Sequence, residues 1–177
     1  MMRKVPNEEL GRLSVQEFKE ARKIPIVVVL DNVRSQNNIG SVFRTADAFL
    51  LESIFLCGIT SKPPHREIHK TALGATESVQ WEYREETGEA IDELKARGFQ
   101  ILAVEQTENS VLLDQLLVAR NKKYALVFGH EIKGVSQTVV DMCDQCIEIP
   151  QYGTKHSLNI SVAAGIVIWD LFKQFSL

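Results

Sequence analysis

A chain of 177 residues with 45% hydrophobic and 24% charged content is long enough to close one substantial core without disulfides or metals, which excludes a disordered segment or a stapled mini-domain. Its net charge of -3 excludes indiscriminate attraction to polyanions, so a nucleic-acid partner would have to be held by a local basic surface. Three cysteines make no disulfide framework, and the sequence carries neither a signal-peptide core nor a membrane-spanning run, which points to the cytoplasm.

Residues 1–23 read as a short helical extension ahead of a main domain at 24–177. Ser14 and Glu17 have capping-box spacing before Val15, Phe18 and Ala21, and Pro25 marks the end of that helix. Arg3, Lys4, Arg12, Lys19, Arg22 and Lys23 make the extension basic, and its plainest reading is a solvated helix along one edge of the domain. Ile26 to Leu30 is a continuous apolar run, the form of a strand buried on both faces. A polar loop, Asp31 to Asn38, leads into a helix carried by Ile39, Val42, Phe43 and Ala46, with Asn38 where the N-cap would stand. Ser53 to Cys57 is a second strand. Lys62-Pro63-Pro64 must be loop, because consecutive prolines continue neither regular element.

Arg66 to Leu73 reads as a short helix closed by Gly74, Val79 to Tyr83 as a strand, Glu85 to Arg97 as a surface helix stopped by Gly98, and Phe99 to Val104 as a strand. Leu112 to Leu117 is a weak helical turn, Tyr124 to Phe128 a buried strand, and Ser136 the start of a short helix. Cys143-x-x-Cys146 is a lone pair whose second member enters a strand, so it reads as structural rather than metal-binding; no metal site is expected. After a β-like run through Ile147 and Ile149, Ser157-Leu158-Asn159 opens a long final helix, with Ser157 its simplest cap. That helix has two apolar stripes: Leu158, Val162, Gly165, Trp169 and Phe172 on one, and Ile160, Ala164, Val167 and Leu171 on the other. A helix apolar on two sides is expected to bury one face on its own sheet and the other on a partner. Strands alternating with helices imply a mostly parallel sheet with helices on both faces.

In open α/β sheets, ligands bind beyond the carboxyl ends of the strands, where polar turns converge. Here those turns are Asp31 to Gly40, Glu105 to Ser110, Gly129 to Gly134 and Gln151 to Ser157. Neither a G-x-G-x-x-G nor a G-x-x-x-x-G-K-[ST] pattern is present, so the common dinucleotide and nucleoside-triphosphate cradles have no support. Taken singly, Arg44 is a surface cation, the Gly129-x-Glu131-x-x-Gly134 turn a strand-to-helix connection, and Ser157 a cap.

Together, three segments resemble in order the three motifs of the SpoU/TrmH family of RNA 2'-O-ribose methyltransferases: Asn37-Asn38-Ile39-Gly40-Ser41-Val42-Phe43-Arg44-Thr45-Ala46, Leu126 to Gly134, and Ile149 to Ala163. The resemblance implies an α/β fold with a C-terminal deep trefoil knot, S-adenosylmethionine as cofactor, and a homodimer with its site near the interface. By the same resemblance, Arg44 is the catalytic arginine at the ribose hydroxyl and Ser157 binds the target phosphate. Asn38 and Asn159 orient the ribose and the loops, Glu131 holds the second motif in shape, and Thr107, Gly129, Ile149 and Leu158 hold the cofactor. RNA contacts are expected from Lys62, His65, Arg66, His69 and Lys70, with Lys155 and His156 near the site; tRNA is the first substrate expected and rRNA the second. Two alternatives stay open: a module of this fold that binds cofactor and RNA without turnover, and a related knotted enzyme methylating a base, with Asp31 or Glu131 as general base.

Overall fold

The computed structural model of the protein describes residues 2–176. Its centre is β1 (Ile24–Asp31), which contains the strand predicted from the continuous apolar run Ile26 to Leu30. Alternation decides the rest: Ile26, Val28 and Leu30 point into one core and Val27 and Val29 into another, all fully buried. Each such aliphatic side chain contributes about 1.5–3 kcal/mol on burial, so this strand alone anchors both layers.

Around β1 stand β2 (Leu51–Cys57), β3 (Trp81–Arg84), β4 (Phe99–Val104), β5 (Val111–Leu112), β6 (Lys123–Phe128) and β7 (Gln145–Glu148). They form one sheet in the order β3-β2-β1-β6-β4-β7-β5, and every pairing is parallel. On one face lie α1 (Val15–Glu20), α2 (Gln36–Ala48), α3 (Arg66–Ala72), α4 (Ala75–Ser78) and α7 (Ile160–Ser176), and on the other α5 (Thr87–Ala96) and α6 (Gln137–Met142). Because all strands run the same way, all their carboxyl ends open on one edge, and the polar turns gather there. Among the described residues no helix is long and apolar enough to cross a membrane, and no cluster of His, Cys, Asp or Glu gathers to hold a metal.

Local signals explain most element ends. The capping box forms as spaced: Ser14 Oγ accepts from the Glu17 amide at 3.2 Å and the Glu17 carboxylate from the Ser14 amide at 2.8 Å. Phe18 is then buried in the main core, so α1 is docked rather than merely solvated. Four expectations need correction. Ser35, not Asn38, caps α2, its hydroxyl accepting from the Asn38 amide at 3.3 Å; the apolar repeat begins at Ile39, and the first helical turn before it is polar. The residue that closes α3 in a left-handed conformation is Leu73 (φ 49°), while Gly74 opens α4. Leu112 to Leu117 yields edge strand β5 and a 3-10 turn at Leu113–Gln115 instead of an α-helical turn. Finally, α7 begins at Ile160 and Asn159 caps it: its Oδ1 accepts from the Ser161 amide at 2.9 Å, which leaves Ser157 free.

Of the two stripes on α7, one is buried (Ile160, Ala164, Val167, Leu171, joined by Ile168). The other faces out, with Val162 50% and Trp169 52% exposed alongside Ile166. Trp169 and Phe172 stack against each other and meet Phe49 in tilted contacts, extending this apolar strip onto the end of α2.

Candidate active site

At the carboxyl edge of β4, β6 and β7 lies a cavity of about 350 Å3. Ile147, Ile149, Leu158, Ile160 and Ala163 supply an aliphatic wall, and Glu105, Gln106 and the loop from Gly129 to Gly134 a polar one. Ser157 and His156 stand at its lip.

The loop after β6 is folded tightly on itself. His130 and Gly134 exchange amide-to-carbonyl bonds at 3.0 and 2.8 Å, and His130 Nδ1 accepts from the Ile132 amide at 3.0 Å. A Cβ on Gly129 would run into the Gly134–Val135 peptide, so glycine is required there by the protein's own backbone. Gly134, at φ 67°, abuts the Glu105 carboxylate in the same way. Glu105 accepts from the Val135 and Gln106 amides, each at 2.9 Å, and so bolts this loop to the end of β4.

The three motif segments are joined by one line of hydrogen bonds. Asn159 Nδ2 donates to Asn38 Oδ1 at 3.2 Å, and Asn38 Nδ2 donates to Glu131 Oε1 at 3.2 Å. Glu131 also accepts from the Ser35 amide at 2.9 Å and the Arg34 amide at 3.1 Å. Partial burial alone would raise the Glu131 carboxyl, but the Ser35 and Arg34 amides, with the Asn38 side chain, outweigh it and hold the group below its ordinary value. Asn38 is buried and its helix continues to the exposed Arg44, six residues on, whose guanidinium has no ion-pair partner among the described residues.

The sequence-predicted site thus comes together unevenly. Glu131, Ser157, Gly129, Ile149 and Leu158 line the cavity; Asn38 and Asn159 stand behind it in the hydrogen-bonded line; Arg44 lies outside the lining. Thr107 is also outside it, its carbonyl occupied by the Ser110 amide and hydroxyl, and Gln106 takes the place at the wall. Gly40 serves packing: a Cβ there would strike Thr71 and the Ile68 carbonyl on α3. Glu105 and Ser35 escaped sequence reasoning, although a carboxylate directly after a strand and a serine directly before a helix are the available signals. Asp31 is buried and accepts from Thr87 Oγ1 at 2.6 Å and from Asn32 Nδ2 at 2.8 Å. Burial pushes the Cys143 thiol up to about 12, and its Sγ donates to the Val139 carbonyl at 3.1 Å.

A parallel α/β sheet with a mixed apolar and polar cavity at the carboxyl edge of its strands defines a ligand-binding α/β domain. Comparison with known proteins makes the class specific. The pattern of the SpoU rRNA Methylase family matches residues 25–169, and the chain belongs to that family. It is 34% identical over 176 residues to a tRNA (guanosine(18)-2'-O)-methyltransferase of Aquifex aeolicus, covering 96% of this chain and 78% of that protein. It is 32% identical over 160 residues to a Staphylococcus aureus protein described as of the TrmH family of tRNA/rRNA methyltransferases, and spans 63% of that relative's length. Among solved structures, an A. aeolicus TrmH/SpoU tRNA modifying enzyme superposes with TM-score 0.80 at 30% identity, covering 92% of this chain and 82% of that one. An AdoMet-bound rRNA methyltransferase from Sinorhizobium meliloti gives 0.78 at 26% identity, with coverages of 88% and 59%.

Proposed function

We propose that this chain transfers the methyl group of S-adenosylmethionine to a ribose 2'-hydroxyl of structured RNA, tRNA before rRNA, in the cytoplasm and as a homodimer. The observation that carries the reading is the hydrogen-bonded line from Asn159 through Asn38 to Glu131, which holds three distant loops around one cavity. The family membership and the Aquifex relative support the reaction class, and the AdoMet-bound Sinorhizobium structure supports the cofactor.

The cavity fits such a cofactor. Its aliphatic wall suits the flat face of an adenine, and the closed loop after β6 presents backbone against the opposite side. Gly129, Ile149 and Leu158 would hold the nucleoside, with Gln106 in the position expected of Thr107. When bound, the cofactor supplies a methyl group on a sulfonium, an electrophile that needs no further activation. The chain's task is then alignment and charge stabilisation. Arg44, with a guanidinium pKa above about 12, is a poor base; its role is to stabilise negative charge developing on the 2' oxygen. Ser157, freed from capping and placed at the lip, binds the target phosphate. Asn38 and Asn159 already have side-chain partners, so they orient the loops and keep the helix of Arg44 in register with the cavity.

The outward strip of Val162, Ile166 and Trp169 on α7 supports the homodimer, because so large an apolar surface beside the site favours cover by a second copy. A C-terminal trefoil knot belongs to the same proposal, and the strand order, with β6 between β1 and β4 and β7 beyond β4, accommodates it. Residues 1–23 act as an appendage to the methyltransferase domain at 24–177. The test is incubation with methyl-labelled cofactor and RNA lacking the modification, followed by digestion to nucleosides. Labelled 2'-O-methylribose is the expected product, and label on a base would overturn the reading.

A further inference from the structure

Resting on the reading above, we propose that Arg34 binds an RNA phosphate beside the acceptor ribose. Its backbone is one of the fixed points of the site: the Arg34 amide donates to Glu131 Oε2 at 3.1 Å, on the carboxylate that lines the cavity and also holds Asn38. Its side chain, in contrast, is exposed and makes no hydrogen bond or ion pair among the described residues. The carboxylate that holds its amide, Glu131, is engaged by the Arg34 and Ser35 amides and the Asn38 side chain, and makes no ion pair with the Arg34 guanidinium. An arginine with a pinned backbone and a free planar fork is suited to phosphate, since its two parallel N–H groups match two phosphate oxygens and little backbone ordering remains to be done on binding.

The wider charge pattern points the same way. Acidic residues crowd onto β3 and α5, where Glu82, Glu85, Glu86, Glu89, Asp92 and Glu93 fall within one short stretch. Lys133 lines the cavity, Arg34 precedes α2 and Arg44 is exposed upon it, and α3 adds Arg66 and Lys70 on the same face of the sheet as α2. The exposed cations of α2, its preceding loop and the loop after β6 thus lie apart from the acidic stretch of β3 and α5 in the sequence.

The experiment measures binding of unmodified tRNA transcripts and their methylation across a salt series, for wild type, Arg34→Ala and Arg34→Lys. One lost phosphate contact lowers the slope of log affinity against log salt by roughly one. Arg34→Ala is expected to show that change, with KM for RNA raised about tenfold, the effect falling on KM rather than kcat. Arg34→Lys should restore the slope, and the melting temperature should not move, because the side chain holds nothing in the fold. An Ala variant with wild-type slope and KM in an active enzyme overturns this inference alone. Wild-type protein that neither binds nor methylates RNA overturns it together with the proposed function.

Discussion

Glu131→Gln is the most informative single change, because the structure says which bonds it breaks. The carboxylate accepts from the Arg34 amide on Oε2 and from the Ser35 amide and Asn38 Nδ2 on Oε1. A glutamine keeps one oxygen for the pair on Oε1 and must turn an NH2 group toward the Arg34 N–H, donor against donor. One charge-assisted bond, worth about 1.5–3 kcal/mol, is lost, and two become neutral. Water reaches this half of the site and recovers part, so a net destabilisation of about 2 kcal/mol is expected, or about 5 °C in Tm for a chain of this size. The pH dependence supplies the control. The folded carboxyl lies below its ordinary value of 4.5, so its stabilisation is present above about that pH and is lost as pH falls through the folded value. Thermal unfolding followed by circular dichroism at about pH 7 and about pH 3.5 should show the gap between wild type and variant closing in acid. A gap absent at neutral pH, or unchanged in acid, refutes the claim that ionised Glu131 fastens the site.

Arg44→Ala should retain cofactor affinity by calorimetry while losing a hundredfold or so in kcat, the scale of removing one charge-stabilising donor; methylation at the normal rate would sink the assignment. Gly129→Ala drives a Cβ into the Gly134–Val135 peptide and should cost about 1–3 kcal/mol together with cofactor affinity, whereas Gly153→Ala, in open space, should melt like wild type; equal melting of the two would contradict the loop geometry. Trp169→Glu places a charge in the outward strip of α7 and should shift sedimentation toward monomer, a result incompatible with that strip being free in solution. Cys143, pushed up to about 12 by burial, should resist iodoacetamide in the folded protein at neutral pH; alkylation within minutes, read by mass spectrometry, would show the thiol is not held as described.

Much of the fold is legible in the sequence because local rules dominate it. The valine run of β1, the box at Ser14 and Glu17, and the two stripes of α7 follow from side-chain periodicity and capping chemistry, which act within a few residues. The site is legible only in part. Its residue types stand out through their resemblance to family motifs, but their duties do not, since Asn38 reads equally well as a cap and as a buried clasp. The choice falls to partners at residues 131 and 159, beyond the reach of any local pattern. Gly129 shows the same limit: the need for glycine is visible as a loop signal, but its cause is a peptide on the far side of the same turn. Thr107 and Gln106 differ by one step along a turn without periodicity, so only the folded chain decides which faces the cavity.

The bond between Asn38 and Asn159 spans 121 positions of the chain. During synthesis, α2 and the loop carrying Glu131 exist long before their last companion, and the cavity lacks the wall supplied by Ile147, Ile149, Leu158, Ile160 and Ala163 until the ribosome has passed them. A nascent chain halted before α7 therefore lacks Ile160 and Ala163 of the cavity wall. The cavity is thus completed late, by the last helix of the chain.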